Sequence, residues 1–381
     1  MYTFKAYLEE NPVKITANRG DVAEVVLGAA VTARFWKHPY PEGTPVSEAD
    51  VRDILKKVIK TNPVKLNRDD YEVDTKINDV IRFKIGVPIK AFEFIKDPGN
   101  WKLIPELFSS SLKYVNADRR LNKQASVLAR NGKINDIFVN SDGTGDQKGT
   151  KADIKIEVDG KPTRNQISLK VQGGDQFAQV AGVGWEKQVE IWGKLGLDVS
   201  KKKKDFTAIF DTIDYTLRYA DRNSANASKE ATLARKSAAV VYKFAAVELK
   251  KKFKSKDRKL LSSLGDFIRY GATLDDPHIE LVKLGGAKAG KFKRAKFGKK
   301  FYQNLQNVAP NLEVEYKSGV ADPTVVIYDK NLGQTKEGRL LQIRAKYSPE
   351  SSKTKAGKTY KVYLRNIVEA GDLFFELATD I

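Results

Sequence analysis

The sequence contains no cysteine and only two histidines, and these scarcities exclude several kinds of chemistry. Without cysteine the chain has no disulfide bond, no thiolate zinc site and no cysteine nucleophile. His38 and His278 have neighbours that fit a turn or a strand start better than a metal site. A histidine-based metal centre and a Ser-His-Asp triad are therefore not expected. Any metal ion would be held mainly by oxygen ligands, which favours Mg²⁺ or Mn²⁺ as cofactor.

Long apolar runs are also missing. No segment approaches the roughly 18–20 apolar residues that a membrane span needs. Residues 1–11 lack the basic start and the apolar run of a secretory signal. We therefore expect a cytoplasmic protein with no membrane partner. The same residues are similar to the starts of tailed-phage proteins, which favours the cytoplasm of a bacterial host.

Positive charge is what the chain has in excess. Its 68 lysines and arginines outnumber its 48 acidic residues, so that the formal net charge is +20. Such a surplus implies an anionic partner. DNA or RNA comes first, double-stranded DNA above all, and an anionic membrane surface is a poor second. A homodimer is left open.

The length of 381 residues suggests two or three domains, or one domain with large insertions. Near the N-terminus, residues 20–37 are typical of a helix that Asn18 or Asp21 could cap, and residues 47–60 of a second helix capped by Ser47. A β-rich block and a largely helical region follow. The predicted elements are strands at 134–140, 152–158 and 165–172, a helix at 175–195, helices within 205–272, a strand at 278–284 and several strands within 312–381.

The register of two strands carries the chemical information. In residues 152–158 the apolar side chains alternate with charged ones, so that Asp153 and Glu157 share one face. In residues 165–172 the same alternation places Lys170 opposite the apolar face. If the two strands pair with their apolar faces in the core, carboxylates and a lysine meet on the other side. A solvated face with cross-strand ion pairs would give the same pattern.

Carboxylates beside a lysine suit phosphodiester hydrolysis. Carboxylates hold Mg²⁺, which polarises the phosphate and lowers the pKa of a bound water. The lysine stabilises the charge that develops on the phosphate. The segment that contains Asp153 and the segment Ser168-Leu169-Lys170 together resemble the motif of the PD-(D/E)xK nuclease superfamily, which includes restriction-like endonucleases.

The resemblance implies roles for particular residues. Asp153 would bind the metal ion and Lys170 would be the catalytic lysine, while Glu24 on the first helix could match the glutamate that this family often carries there. Ser168 stands where the family usually has an acid, so a second metal ligand must come from elsewhere. The candidates are Glu186 on the following helix and Glu157 on the strand. Gln172 could position water or the nucleic-acid backbone.

The resemblance also implies a fold of the α/β class, in the α+β sense, with a restriction-endonuclease-like core in which helices flank a mixed central sheet. The predicted domains are a core of residues 1–200 and 273–286 with an insertion at 38–130, a helical insertion at 201–272 and a basic, β-rich C-terminal region at 287–381.

Residues 288–300 hold seven lysines or arginines and no acid. The basic residues are Lys288, Lys291, Lys293, Arg294, Lys296, Lys299 and Lys300, with Phe292 and Phe297 between them. This mixture favours phosphate contacts and base stacking. The aromatic residues could equally be the buried side of an amphipathic element.

Two functions follow from these patterns. The first is a metal-dependent DNA endonuclease of the hydrolase class. The second is a non-catalytic nucleic-acid-binding or packaging protein with the same basic surface.

Overall fold

The computed structural model describes residues 17–37, 44–141, 152–171, 176–181, 184–213, 216–218, 225–255, 257–273, 276, 278–285, 291–317, 322–354 and 357–378. The chain divides into two compact units. The first takes residues 1–174 and 276–294, and the second takes residues 175–275 and 295–381. The division falls elsewhere than the sequence suggested, because residues 175–200 belong to the second unit and the helical and C-terminal regions form one unit together.

The first unit is built on a mixed sheet. Its strands are β1 (Val64–Lys65), β2 (Asp70–Lys76), β3 (Ile81–Pro88), β4 (Ile137–Ser141), β5 (Ile154–Val158), β6 (Lys161–Pro162), β7 (Gln166–Val171), β10 (Ile279–Leu284) and β11 (Phe292–Ala295). Their order is β1-β2-β3-β4-β5-β7-β10-β11, with β6 paired to β5. The β3–β4 and β7–β10 pairs are parallel, whereas β4, β5 and β7 are antiparallel neighbours.

A two-residue turn reverses the chain after β5. Asp159 and Gly160 both have positive φ, at 48° and 72°, which a tight hairpin requires and which Asp-Gly supplies at low cost. Asp159 Oδ1 also accepts hydrogen bonds from the backbone N–H groups of Asn135 and Asp136, at 3.0 Å each. The turn residues that the sequence predicted here therefore set the β5–β6 hairpin, in which Val158 pairs with Lys161.

Helices pack on the apolar face of this sheet. They are α1 (Arg19–Trp36), α2 (Glu48–Val58), α3 (Ile89–Lys96), α4 (Pro105–Ala117) and α5 (Arg119–Arg130). Asn18 caps α1, and Ser47 caps α2 in a reciprocal capping box with Asp50, which confirms both sequence-based caps. Helix α1 is buried along most of its length. It approaches so closely that a Cβ at Gly28 would lie 2.8 Å from the ring of Phe83.

The second unit combines helices with a second sheet. Its helices are α6 (Trp185–Lys194), α7 (Lys203–Phe210), α8 (Ala225–Lys254), α9 (Arg258–Thr273), α10 (Lys299–Val308) and α11 (Asp372–Ala378). Its strands are β8 (Gln176–Ala181), β9 (Thr216–Arg218), β12 (Leu312–Lys317), β13 (Thr324–Asp329), β14 (Arg339–Thr354) and β15 (Gly357–Ala370). The order is β12-β13-β14-β15-β8, with β9 also on β15.

The predicted helix at 175–195 is wrong in its first part. Residues 176–181 form strand β8, which pairs antiparallel with β15, and the helix begins only at Trp185. The partner strand lies nearly 190 residues further along the chain, so the local pattern could not show it. Elsewhere the predicted strands at 134–140, 152–158, 165–172 and 278–284 are confirmed with ends shifted by one to three residues. The mixed α/β character is confirmed as well.

Within the parts of the chain that the structure describes, no helix is both long enough and apolar enough to cross a membrane.

Candidate active site

Asp153 and Lys170 meet where strands β5 and β7 run side by side. The carboxylate oxygen Oδ2 of Asp153 lies 4.0 Å from Nζ of Lys170 and accepts a hydrogen bond from the backbone N–H of Leu169. The two side chains keep 21% and 27% of their surface exposed, so a ligand can reach both. This is the proximity that the alternation in the two segments predicted.

The pairing register explains why these side chains share a face. Ile154 is the partner of Ile167, and the backbone N–H of Asp153 donates to the carbonyl of Ile167 at 2.7 Å. Ile154 and Ile167 are buried in the core that includes α1. Because successive residues of a strand point to opposite faces, the residues beside them face away from α1. Ser168 therefore lies on the same face as Lys170 and opposite Asp153 in the ladder, and it is buried.

A second lysine stands beside Lys170 on the neighbouring strand. Lys283 of β10 is the register partner of Lys170 in the parallel β7–β10 pair, so that both side chains leave the same face. Lys283 is 6% exposed. One carboxylate and two lysines on adjoining strands form a site with a net positive charge, which suits a phosphate group. The sequence shows only that a lysine interrupts the apolar segment 278–284. It does not show that this segment pairs with β7.

Glu157 does not reach Asp153. The two residues are four positions apart on one extended segment, which separates their Cα atoms by about 13 Å. Glu157 lies instead beside Phe138 on β4 and in the electrostatic field of Arg82. One metal ion cannot bind both carboxylates, so Glu157 is not part of the candidate site.

The other predicted ligands have different positions. Glu24 lies on α1, on the opposite face of the sheet, where its carbonyl accepts a hydrogen bond from Ser141 Oγ at 3.2 Å. Ser141 is the register partner of Ile154, so Glu24 belongs to the same end of the sheet as Asp153. Glu186 is exposed in the first turn of α6, in the second unit. Gln172 lies outside the described residues.

Among the described residues, no group of three or more acidic or histidine side chains is placed to hold a metal ion. The oxygen donors that face each other at this end of the sheet are the Asp153 carboxylate and the Ser168 hydroxyl. Mg²⁺ is often held by one or two carboxylates, with waters and substrate phosphates completing its shell. Asp153 therefore fits as a single protein carboxylate for such an ion, and the site does not fit an ion that needs a full protein cage.

The aromatic residues of the basic segment are half-buried and pack against other rings, which favours the amphipathic interpretation over base stacking. Phe292 makes an edge contact with Tyr114, with ring centroids 5.7 Å apart. Phe297 contacts Phe301 and Phe374 in the second unit, at 5.2 and 5.6 Å. The alternative, the buried side of an amphipathic element, is what the structure has.

The basic residues of that segment differ in their surroundings. Arg294 is half-buried and lies 3.6 Å from Asp118 and 3.8 Å from Glu280. Lys291, Lys299 and Lys300 are exposed, and Lys293 and Lys296 are half-buried. Lys288 lies outside the described residues. The division between units falls after Arg294, so Lys291 and Lys293 belong to the first unit and Lys296, Lys299 and Lys300 belong to the second.

Arg294 belongs to a buried carboxyl cluster that the sequence analysis missed. Glu280 on β10 faces the same side as Ile167, is 6% exposed and accepts a hydrogen bond from the Tyr114 hydroxyl at 3.3 Å. Asp118 is also buried and caps α5 by accepting from two backbone N–H groups at 2.9 Å. An acid in the middle of the buried segment 278–284 was the one available signal.

Burial raises the pKa of Glu280 to about 8, and the nearby charge of Asp118 adds to the rise, whereas Arg294 opposes it. The same burial raises the pKa of the Tyr114 hydroxyl well above its ordinary value. Glu280 is therefore held largely as a neutral carboxyl at pH 7, hydrogen-bonded to Asp118. This cluster is part of the fold on the α1 side of the sheet, opposite the face of Lys170 and Lys283.

Comparison of the chain with protein-family models, with curated sequences and with solved structures gave no match.

Proposed function

We propose that the protein is a metal-dependent nuclease that hydrolyses phosphodiester bonds in DNA on a restriction-endonuclease-like core. The observation that carries the proposal is the 4.0 Å approach of Asp153 and Lys170 on adjoining strands. A carboxylate for a cation and a lysine for the phosphate charge are what this reaction needs in one place. Both side chains are partly exposed, as residues that meet a substrate must be.

The topology of the first unit supports the proposal. Helix α1 precedes three antiparallel strands, β4, β5 and β7, and β10 then pairs parallel to β7. The resemblance implies a helix, three strands, a second helix and a further strand, and α1, β4, β5, β7 and β10 follow that order. Helices α6 to α9 come between β7 and β10 in the chain and belong to the second unit.

Asp153 would hold Mg²⁺ or Mn²⁺ as a single protein carboxylate, with waters and the substrate phosphate completing the shell. The bound ion would polarise the scissile phosphate and supply a water of lowered pKa. Lys170 lies where its ammonium group can stabilise the negative charge that grows on the phosphate oxygens. Ser168 lies opposite Asp153 on the same face but is buried, so it does not contact the substrate.

A second candidate function is non-catalytic binding of nucleic acid. The observation that favours it is the absence, among the described residues, of a cluster of three ligands around Asp153. Ser168 stands where the nuclease family usually has an acid, and this difference also favours non-catalytic binding. The charge of +20 serves both functions equally well.

Cleavage of supercoiled plasmid with Mg²⁺, with and without chelator, separates the two functions. The Asp153→Asn variant should lose cleavage but bind DNA as well as the wild type or slightly better, because the substitution removes a charge that repels phosphate. Lys170→Ala should slow cleavage about 100- to 1,000-fold, as loss of one charge-stabilising donor does. Glu157→Gln is the matched control, since the same chemical change is made on the same strand away from the site.

Glu186→Gln tests the ligand that the sequence analysis placed at this residue. Normal cleavage by this variant would agree with Asp153 as the single protein carboxylate, and loss of cleavage with normal DNA binding would contradict it. If the wild-type protein cleaves neither single-stranded, double-stranded nor branched DNA with Mg²⁺ or Mn²⁺, the nuclease proposal fails. Non-catalytic binding would then take its place.

A further inference from the structure

The second unit contains a groove that the sites described above do not use. Two adjoining cavities of about 460 and 240 Å³ share Phe253 and Pro310 in their walls. The groove runs past the end of α8, the start of α9 and the connection between α10 and β12. We call it the α8–α10 groove. Its further lining residues are Lys250, Lys254, Asp257, Arg258, Leu261, Gln306, Ala309, Leu312, Glu313, Val314 and Lys330.

Four cations line the α8–α10 groove. Lys250, Lys254, Arg258 and Lys330 are all exposed. No ion pair involves any of them among the residues that the structure describes. Cations gathered without acidic partners repel one another, so an anion in the groove would lower the electrostatic energy.

The two acids of the groove are already engaged. Asp257 Oδ1 accepts from the backbone N–H groups of Lys259 and Leu260 at the start of α9, and its Oδ2 lies 3.3 Å from Nζ of Lys252. These contacts hold the pKa of Asp257 below its ordinary value. Glu313 accepts a hydrogen bond from the Tyr328 hydroxyl at 3.3 Å. Asp257 is balanced by Lys252, and the single charge of Glu313 leaves the four cations of the groove in excess.

Lysines in the last turn of a helix interact favourably with the helix dipole, and the last turn of α8 contains Lys251, Lys252 and Lys254. Lys251 pairs with Glu248 at 2.8 Å, and Lys252 pairs with Asp257. Lys250 and Lys254 are one helical turn apart and therefore share a face with Phe253 between them. This face, and not the paired one, borders the groove.

We propose that the α8–α10 groove binds the phosphodiester backbone of a single nucleic-acid strand. The assignment rests on the proposed function only in taking nucleic acid as the ligand. The cations suit phosphates, and the apolar floor of Phe253, Leu261, Ala309 and Pro310 suits sugars and unpaired bases. A charged groove with apolar contacts is how proteins hold single strands without reading sequence. A cavity of several hundred Å³ is also of the size that ligand sites have.

Paired substitutions on one helix test the proposal. Lys250→Gln with Lys254→Gln removes two groove cations, and Lys229→Gln with Lys236→Gln removes two exposed cations from the same helix outside the groove. Binding of a labelled oligothymidine is measured by fluorescence anisotropy at several salt concentrations, in the presence of chelator. Each phosphate contact on a single strand contributes about 0.7 to the slope of log K against log salt. The groove pair should therefore lower the slope by about 1.4, and the control pair should leave it unchanged.

The absence of cysteine allows a direct readout of the groove. Gln306→Cys places one thiol in its wall for an environment-sensitive dye, and Lys236→Cys places the control dye on α8 outside it. Oligothymidine should change the emission of the first dye and not of the second. The change should disappear when Lys250→Gln and Lys254→Gln are added.

Equal behaviour of the groove pair and the control pair would overturn the proposal. An equal loss of affinity for duplex and for single strand would overturn the assignment to a single strand. Because binding is measured without metal, the result does not depend on cleavage. If the wild-type protein cleaves no DNA but the groove pair of substitutions weakens single-strand binding, the proposed nuclease activity is refuted and the proposed groove function is supported. A wild-type protein that binds no oligonucleotide would refute the groove.

Discussion

The neutral carboxyl of Glu280 should make the stability of the protein depend on pH. In the unfolded chain this group titrates at its ordinary pKa of 4.5, and in the folded protein its pKa is about 8. Between these values the folded protein binds more protons than the unfolded chain. The free energy of unfolding should then fall as the pH rises, by about 1.4 kcal/mol per pH unit. Over the whole window the loss is roughly 5 kcal/mol, and it is complete above about pH 8.

Glu280→Gln removes this dependence. The amide can donate to Asp118 as the protonated carboxyl does, and it can accept from Tyr114, but it carries no proton to lose. The variant should unfold like the wild type at about pH 5 and be up to roughly 5 kcal/mol more stable at about pH 9. Urea unfolding followed by tryptophan fluorescence across this range measures the difference, because the chain contains four tryptophans.

The matched control is Glu72→Gln, another strand carboxylate of the same sheet. Glu72 is partly exposed and pairs with Lys84 at 2.7 Å. Loss of a surface pair of this kind costs about 1 kcal/mol or less. The reasoning would be refuted if Glu280→Gln were destabilised equally at about pH 5 and about pH 9. That result would mean that Glu280 is ionised in the folded protein and paired with Arg294.

Further substitutions test the packing and the site. Lys283→Met removes the charge of a buried lysine, and we expect cleavage to slow about tenfold or more and the melting temperature to fall, because the polar contacts of Lys283 are lost as well. Gly28→Ala should destabilise the protein by about 1–3 kcal/mol, because the added methyl would overlap the buried ring of Phe83. Gly20→Ala on the same helix has room and should not destabilise it. A melting temperature that Gly28→Ala leaves unchanged would contradict the close packing of α1.

Part of the candidate site was predictable because it is local. The alternation around Asp153 and Lys170 fixes which side chains share a face, since strand parity allows no exception without a bulge. The Asp-Gly turn that follows the first segment closes the β5–β6 hairpin and reverses the chain before the second segment. The caps at Asn18 and Ser47 are likewise set by side chains within three residues of the backbone groups that they bind. Such features need no knowledge of distant residues.

The rest depends on pairings between residues far apart in the chain. Lys283 stands beside Lys170 only because β10 pairs with β7, and the segment 176–181 is a strand only because β15 accepts it as an edge partner. The distance of Glu157 from Asp153 follows from the geometry of an extended strand, and it excludes a single ion held by both carboxylates.

The sequence by itself determined the charge of the protein, the alternation of its strands, its turns and its helix caps, because these depend on composition and on neighbours within a few residues. The tertiary structure decided what the charges do. It placed Arg294 beside the buried carboxyls of Asp118 and Glu280, packed Phe292 and Phe297 against other aromatic rings, and left Lys250 and Lys254 facing a groove. A charged residue contacts an acid, a core or solvent according to which distant segment folds against it, and no local pattern contains that information.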